Sequence, residues 1–159
     1  MEIERKFRVI EANLPDLTKK NKIRIDQHYI FLGKEGEVRI RRKGNKHFIT
    51  IKSNGTVVRH EREAIISPKA YKTLVPAAIG RTVSKERYSI KLTSGEIAEL
   101  DVYVGKLQGL KTVEVEFKTV KDAISFIPPN WFGEDITEGL KNKDLAVNEN
   151  IKILEGVDD

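Results

Sequence analysis

The stretch Glu2-Ile3-Glu4-Arg5-Lys6-Phe7-Arg8-Val9 decides how the rest of the chain is read. Ile3, Phe7 and Val9 fall at alternate positions, and Glu2, Glu4, Lys6 and Arg8 fall between them. Successive side chains of a β-strand point to opposite faces, so a period of two describes a strand with one apolar and one charged face. Arg5 carries its charge on the apolar side of the alternation and is expected on the outer surface.

The same alternation recurs along the chain. Val38 and Ile40 alternate with Glu37, Arg39 and Arg41, and Ile49 and Ile51 with Phe48, Thr50 and Lys52. Arg59, Glu61 and Glu63 share one parity, as do Val83, Lys85 and Arg87. Ala98, Leu100 and Val102 alternate with Glu99 and Asp101, and Val113, Val115 and Phe117 with Glu114 and Glu116. With the run Ile23 to Phe31 this predicts about eight strands. Gly33 and Gly36, Gly44-Asn45, Asn54-Gly55, Ser94-Gly95 and Gly109 separate them, and Asn-Gly is a strong hairpin signal. The strands are therefore expected to be antiparallel. Ser67-Pro68 supplies an N-cap and a first-turn proline for a helix to about Ala78. Thr119 to Phe126 reads as a second helix, closed by Pro128-Pro129. Leu145 to Leu154 reads as a third, and Glu11 to Lys20 as a short turn around Leu14 and Leu17.

Length and composition bound the class. The chain has 159 residues, 39% hydrophobic and 33% charged, which suits a single domain over residues 1–159. There is no cysteine, so neither a disulfide framework nor thiolate chemistry is available. The first ten residues are too charged for a secretory signal, and no apolar run is long enough to cross a bilayer. The expectation is a soluble cytoplasmic protein. A net charge of +5 favours anionic partners without naming one.

The charged faces are unusual for surfaces that merely meet water. Their polar positions are nearly all Glu, Asp, Lys and Arg, in same-sign rows: Glu2 with Glu4, Arg39 with Arg41, Glu61 with Glu63, Lys85 with Arg87, Glu114 with Glu116. Like charges two residues apart repel and call for partners across a cavity. A closed barrel with a polar interior supplies them, its apolar faces turned outward under the helices. Interior carboxylates suit hard divalent cations, and interior Arg and Lys suit phosphate oxygens. The predicted fold is mainly β: an eight-stranded antiparallel closed barrel with a polar interior and flanking helices.

These rows resemble the triphosphate tunnel metalloenzymes of the CYTH superfamily, and in particular its short bacterial members. Glu2, Glu4 and Lys6 match the ExExK signature. "VRIRRK" (38–43), "FITIK" (48–52), "RHERE" (59–63), "KERY" (85–88), "AELDVY" (98–103), "VEVEF" (113–117) and "DITEGLKNKDLA" (135–146) resemble family segments in order. The resemblance implies an eight-stranded tunnel. It implies metal binding by Glu2, Glu4 and Glu114, with Glu63, Asp101 and Glu116 at a second metal or the attacking water and Glu61 joining either set. It places Lys6, Arg8, Arg39, Arg41, Lys52, Arg59, Lys85 and Arg87 on the phosphates, Lys85 also among the catalytic groups, and Tyr29 near Lys85. His28, His47 and His60 show no ligand spacing and are expected to pack or face water.

The implied activity is hydrolysis of a triphosphate, foremost inorganic tripolyphosphate, with Mg²⁺ or Mn²⁺ as cofactor. The alternatives are a class IV adenylate cyclase acting on ATP, or a nucleoside or thiamine triphosphatase. A non-catalytic polyphosphate- or RNA-binding module ranks third, because aromatics are only 7% and do not interleave with the basic residues. The expected partner is a small triphosphate, with no membrane, no nucleic acid, and homodimerisation as a family trait.

Overall fold

The computed structural model describes residues 1–55, 57–139 and 141–147. Its strands are β1 (Glu2–Val9), β2 (Lys22–Leu32), β3 (Gly36–Lys43), β4 (Lys46–Ser53), β5 (Val58–Arg59), β6 (Glu61–Ile66), β7 (Ile79–Lys91), β8 (Ile97–Tyr103), β9 (Lys111–Glu116) and β10 (Phe132–Asp135). The helices are α1 (Pro68–Leu74), α2 (Val120–Ser125) and α3 (Asn142–Val147). The sheet runs β1-β9-β8-β7-β2-β3-β4-β6, every neighbouring pair antiparallel.

Closure depends on a short detour. After β4 the chain does not turn directly back. Ser53 N–H bonds to the His60 carbonyl, and the two residues of β5 leave β4 to pair with β1, Glu2 opposite Arg59 and Ile3 opposite Val58. β5 and β6 thus act as one strand that joins β4 to β1, making eight strands around the barrel. The Asn54-Gly55 turn is therefore wider than a two-residue hairpin. The Gly44-Asn45 turn is such a hairpin, with Lys43 facing Lys46 and Gly44 at φ +62°. β10 was not anticipated. It is four residues long, follows the prolines, and pairs with β1 at Phe7 and Val9, beyond the Glu2–Ile3 stretch that β5 pairs.

Register explains the same-sign rows. Residues directly opposite on neighbouring strands share a face. Lys6 faces Glu114, Arg87 faces Asp101, Lys52 faces Glu61 on one side and Glu37 on the other, and Arg59 faces Glu2. Lys6, Lys52, Arg59 and Arg87 thus each meet a carboxylate on the neighbouring strand, while Glu4 opposite Glu116 and Glu99 opposite Glu114 stay like-charged pairs.

The apolar core lies outside the barrel wall. Ile3, Phe7, Val9, Leu100, Val113 and Val115 pack under Ala123 and Phe126 of the α2 region and under Trp131 and Phe132. Leu14 and Leu17, which follow a single 3₁₀ turn at Glu11–Asn13, pack against the same cluster. Arg5 stitches this outer layer as its parity predicts: it bonds Asp135 of β10 and the Ala123 carbonyl. α1 has the predicted Ser67 cap, accepting from Ala70 N–H, and Thr119 caps α2. His28 and His47 pack around the Tyr71 ring of α1.

A second cluster closes one end of the interior. Tyr29 and Tyr103, opposite the inward Arg39 and Lys85, pack with Val83, Leu107, Leu110 and the α3 residues Leu145 and Ala146. The third helix was expected over Leu145 to Leu154; α3 begins three residues earlier, and the part of that span beyond Val147 lies outside the described residues. α3 reaches β7 because Gly80 leaves room: a Cβ there would stand 2.2 Å from the Ala146 carbonyl oxygen. Gly80 also has φ +69°, where side chains are strained. Gly80→Ala is expected to destabilise the fold by about 1–3 kcal/mol and to raise amide exchange selectively in α3. Unchanged exchange there would show that α3 does not depend on this contact.

Candidate active site

All predicted site residues except Arg8 and Asp101 line one cavity of about 210 Å³ inside the barrel. β1 contributes Glu2, Glu4 and Lys6; β3 contributes Arg39 and Arg41; β4 contributes Lys52. Arg59, Glu61 and Glu63 come from β5 and β6, Lys85 and Arg87 from β7, Glu114 and Glu116 from β9. Sequence reasoning passed over Glu37, Lys43 and Glu99, which also line it. Their parity was legible, since each continues a row already recognised. Thr137, Lys141, Asn142 and Lys143 line it too, and no periodicity marks them, because they enter from the C-terminal segment.

Two placements differ from expectation. Arg8 is half-buried beside Thr112 and does not reach the cavity. Asp101 is 0% exposed and lies in the wall behind the lining. Arg87 grips both its oxygens, Nε to Oδ1 at 2.7 Å and Nη2 to Oδ2 at 2.9 Å, and Lys85 Nζ stands 2.8 Å from Oδ2. With every oxygen taken by a base, Asp101 orients Lys85 and Arg87 and is not disposed to hold a metal or water.

The remaining charges are paired incompletely. Lys52 Nζ donates to Glu2 at 3.0 Å, and Arg41 Nη2 donates to Glu63 at 3.1 Å, which Thr50 also binds. Arg59 Nη2 bonds both Glu2 and Glu4, and its Nη1 lies 3.6 Å from Glu37. Yet the Nε groups of Arg39, Arg41 and Arg59 are enclosed with no hydrogen-bond partner. An enclosed N–H without an acceptor costs free energy, and the three arginines that carry them all line one cavity, where their guanidinium groups suit an oxyanion.

Burial sets the titration. It pushes the Lys85 amine down to about 7, only partly opposed by Asp101. Burial, with the charges of Glu114 and Glu2, pushes Glu4 up to about 8. Burial would raise Glu114 as well, but Lys6, Arg87 and Lys85 outweigh it and hold that carboxyl well below its ordinary range. Glu2, Glu4 and Glu114 therefore form an acidic group crowded enough to retain a proton. A hard divalent cation relieves such crowding and prefers oxygen donors, so this donor set fits one. Among the described residues no three acidic or histidine side chains already converge as a metal cage.

Comparison with known proteins agrees with this arrangement. The CYTH domain family model matches residues 1–138. An inorganic triphosphatase of Nitrosomonas europaea is 44% identical over 150 residues, covering 92% of this chain and 97% of the relative. One from Acetivibrio thermocellus is 30% identical over 139 residues, covering 86% and 85%. A crystal structure of an inorganic triphosphatase superposes with a TM-score of 0.68 at 42% identity, over 93% of this chain and 95% of that one. A barrel of inward-facing charge, a family match over most of the length, and relatives aligned nearly end to end lead to one conclusion: the chain belongs to the CYTH domain family.

Proposed function

We propose that this chain hydrolyses inorganic tripolyphosphate in a metal-dependent reaction inside the barrel. The observation that carries the reading is one cavity lined together by the guanidinium groups of Arg39, Arg41, Arg59 and Arg87 and by the crowded carboxylates Glu2, Glu4 and Glu114. Phosphoryl transfer needs positioning and charge neutralisation more than covalent chemistry, and this cavity offers both.

Arg39, Arg41, Arg87, Lys52 and Lys6 bind the phosphate oxygens and hold the chain of phosphorus atoms along the tunnel. Glu2, Glu4 and Glu114 would hold Mg²⁺ or Mn²⁺, with Glu61, Glu63 and Glu116 available to a second ion or to the attacking water. A bound ion would supply charge neutralisation and a fixed orientation for the transferred group. Lys85, partly neutral near pH 7, takes a proton from water as its oxygen attacks the terminal phosphorus. The bond from that phosphorus to its bridging oxygen breaks, and orthophosphate and pyrophosphate result. Asp101 keeps Lys85 and Arg87 in place.

The lining favours tripolyphosphate over ATP. Among the described lining residues the one aromatic is Tyr29, which is 1% exposed and packed into the end cluster. A nucleobase finds no ring on which to stack. Phosphate release from tripolyphosphate, ATP and thiamine triphosphate with Mg²⁺ and with Mn²⁺ tests the reading. Tripolyphosphate should be turned over fastest. Cyclic AMP and pyrophosphate from ATP would establish the cyclase instead, and polyphosphate affinity without turnover would establish a binding module.

Proton release should accompany metal binding, because Glu4 must lose its proton to become a ligand. Mn²⁺ affinity of the substrate-free protein is expected to weaken by up to about tenfold for each pH unit below about 8. Calorimetry in two buffers of different ionisation enthalpy measures both the affinity and the proton count. Affinity unchanged between pH 6.5 and 8.5 would remove Glu4 from the metal set.

A further inference from the structure

Arg59 stands apart from the other tunnel arginines. Arg39 and Arg41 lie in β3, paired on both sides by β2 and β4, and Arg87 lies in β7 between β2 and β8. Arg59 sits on two-residue β5, paired only with the first residues of β1. Its backbone is the least fixed of the four, and its side chain is the one that reaches the acidic group of β1. Nη2 contacts both Glu2 and Glu4, Nη1 faces Glu37 at 3.6 Å, and Nε is enclosed without a partner.

We propose that Arg59 couples metal binding to triphosphate binding. In the substrate-free tunnel its guanidinium fills the place between Glu2 and Glu4 that a divalent cation needs. A phosphate draws the guanidinium away and frees those carboxylates. This rests on the reading that Glu2 and Glu4 hold the metal.

The charges make the exchange favourable in one direction. Arg59 brings one positive charge to two carboxylates that Glu114 also crowds, and Lys52 pairs directly with Glu2 while acting on Glu4 only from a distance. A divalent ion replaces that single charge with two, provided the displaced guanidinium finds another anion. A triphosphate supplies it, and Nε offers a donor no protein group uses. Glu37, 5% exposed on β3, gives Arg59 a second anchor near the cavity, so the side chain swings without leaving the site. A metal alone must displace Arg59 onto Glu37, which it already contacts, with no new anion to receive it. Coupling of this kind is reciprocal: whatever factor the anion adds to metal affinity, the metal adds to anion affinity.

The test is Mn²⁺ binding to the substrate-free protein, followed by electron paramagnetic resonance. Arg59→Gln is expected to bind Mn²⁺ about tenfold or more tighter than wild type, because its competitor is gone. Arg41→Gln removes the same charge from the same cavity but contacts Glu63, not Glu2 or Glu4, and should change the affinity by less than about threefold. Arg59→Gln binding no tighter than wild type, or Arg41→Gln tightening equally, overturns the proposal. Wild type alone gives a second measurement if Arg59→Gln does not fold. Sulfate, a tetrahedral dianion and weak Mn²⁺ chelator, should tighten Mn²⁺ binding, and no effect of sulfate overturns it as well. Metal-dependent phosphate release by wild type with either failure sinks the coupling alone. No metal-dependent release sinks the functional reading beneath it.

Discussion

Glu4→Gln is expected to lower metal-dependent phosphate release from tripolyphosphate by about 10²–10³-fold in kcat. Glutamine keeps the size and one oxygen of the side chain but cannot carry charge. Glu4 follows Glu2 on the inward row of β1, with Glu114 diagonally across on β9, and its high titration point reports its burial and how closely those carboxylates crowd it. A cation placed there is bound through that crowding, so removing this charge removes most of the reason for it to bind. The fold should survive, because the crowding costs stability in the substrate-free protein. Activity within about tenfold of wild type, at saturating Mn²⁺, would move the metal away from β1. Mn²⁺ titration separates a lost ligand, which raises the metal concentration needed, from a lost catalytic group, which does not.

Asp101→Ala is expected to be the most destabilising single change in the tunnel wall, by about 3–5 kcal/mol. The carboxylate is fully enclosed and its two oxygens are the principal partners of Lys85 and Arg87. Removing it takes away the principal counter-charge of Arg87 and leaves Lys85, already pushed down to about 7, with less to hold its proton. For a chain of this length the loss corresponds to roughly 6–20 °C in Tm. Asp101→Asn keeps one acceptor oxygen and should cost less. Denaturant melts of both variants measure the difference. A loss below about 1 kcal/mol in Asp101→Ala would show that Glu99, already 3.1 Å from Arg87, or Glu114 takes over the pairing.

The alternation of Glu2, Glu4, Lys6 and Arg8 against Ile3, Phe7 and Val9 was enough to predict a strand, its charged face, and the exclusion of Arg5 from that face. Repeated on six further segments, it specified a barrel turned inside out relative to most soluble sheets. That much was legible because side-chain direction in a strand is local: it depends on counting by two and on nothing distant. Depth along the tunnel is not local. Arg8 and Lys6 share a face, yet Lys6 meets Glu114 in the cavity while Arg8 lies beside Thr112 and away from it. Glu99 and Asp101 share a face, yet one lines the cavity and the other is sealed in its wall.

Partnership is equally distant. Arg59 meets Glu2, Glu4 and Glu37 because β5 leaves β4 to close the barrel on β1, and no pattern within residues 54–60 announces that departure. β10 and α3 were missed or misplaced for a related reason: four to six residues hold too few periods to signal anything, and both are fixed by what they pack against. The sequence by itself determined which residues face inward and which chemistry they share. Only the tertiary structure decided which inward charges meet, because ion pairing follows register and barrel closure, and those are set by the whole sheet at once.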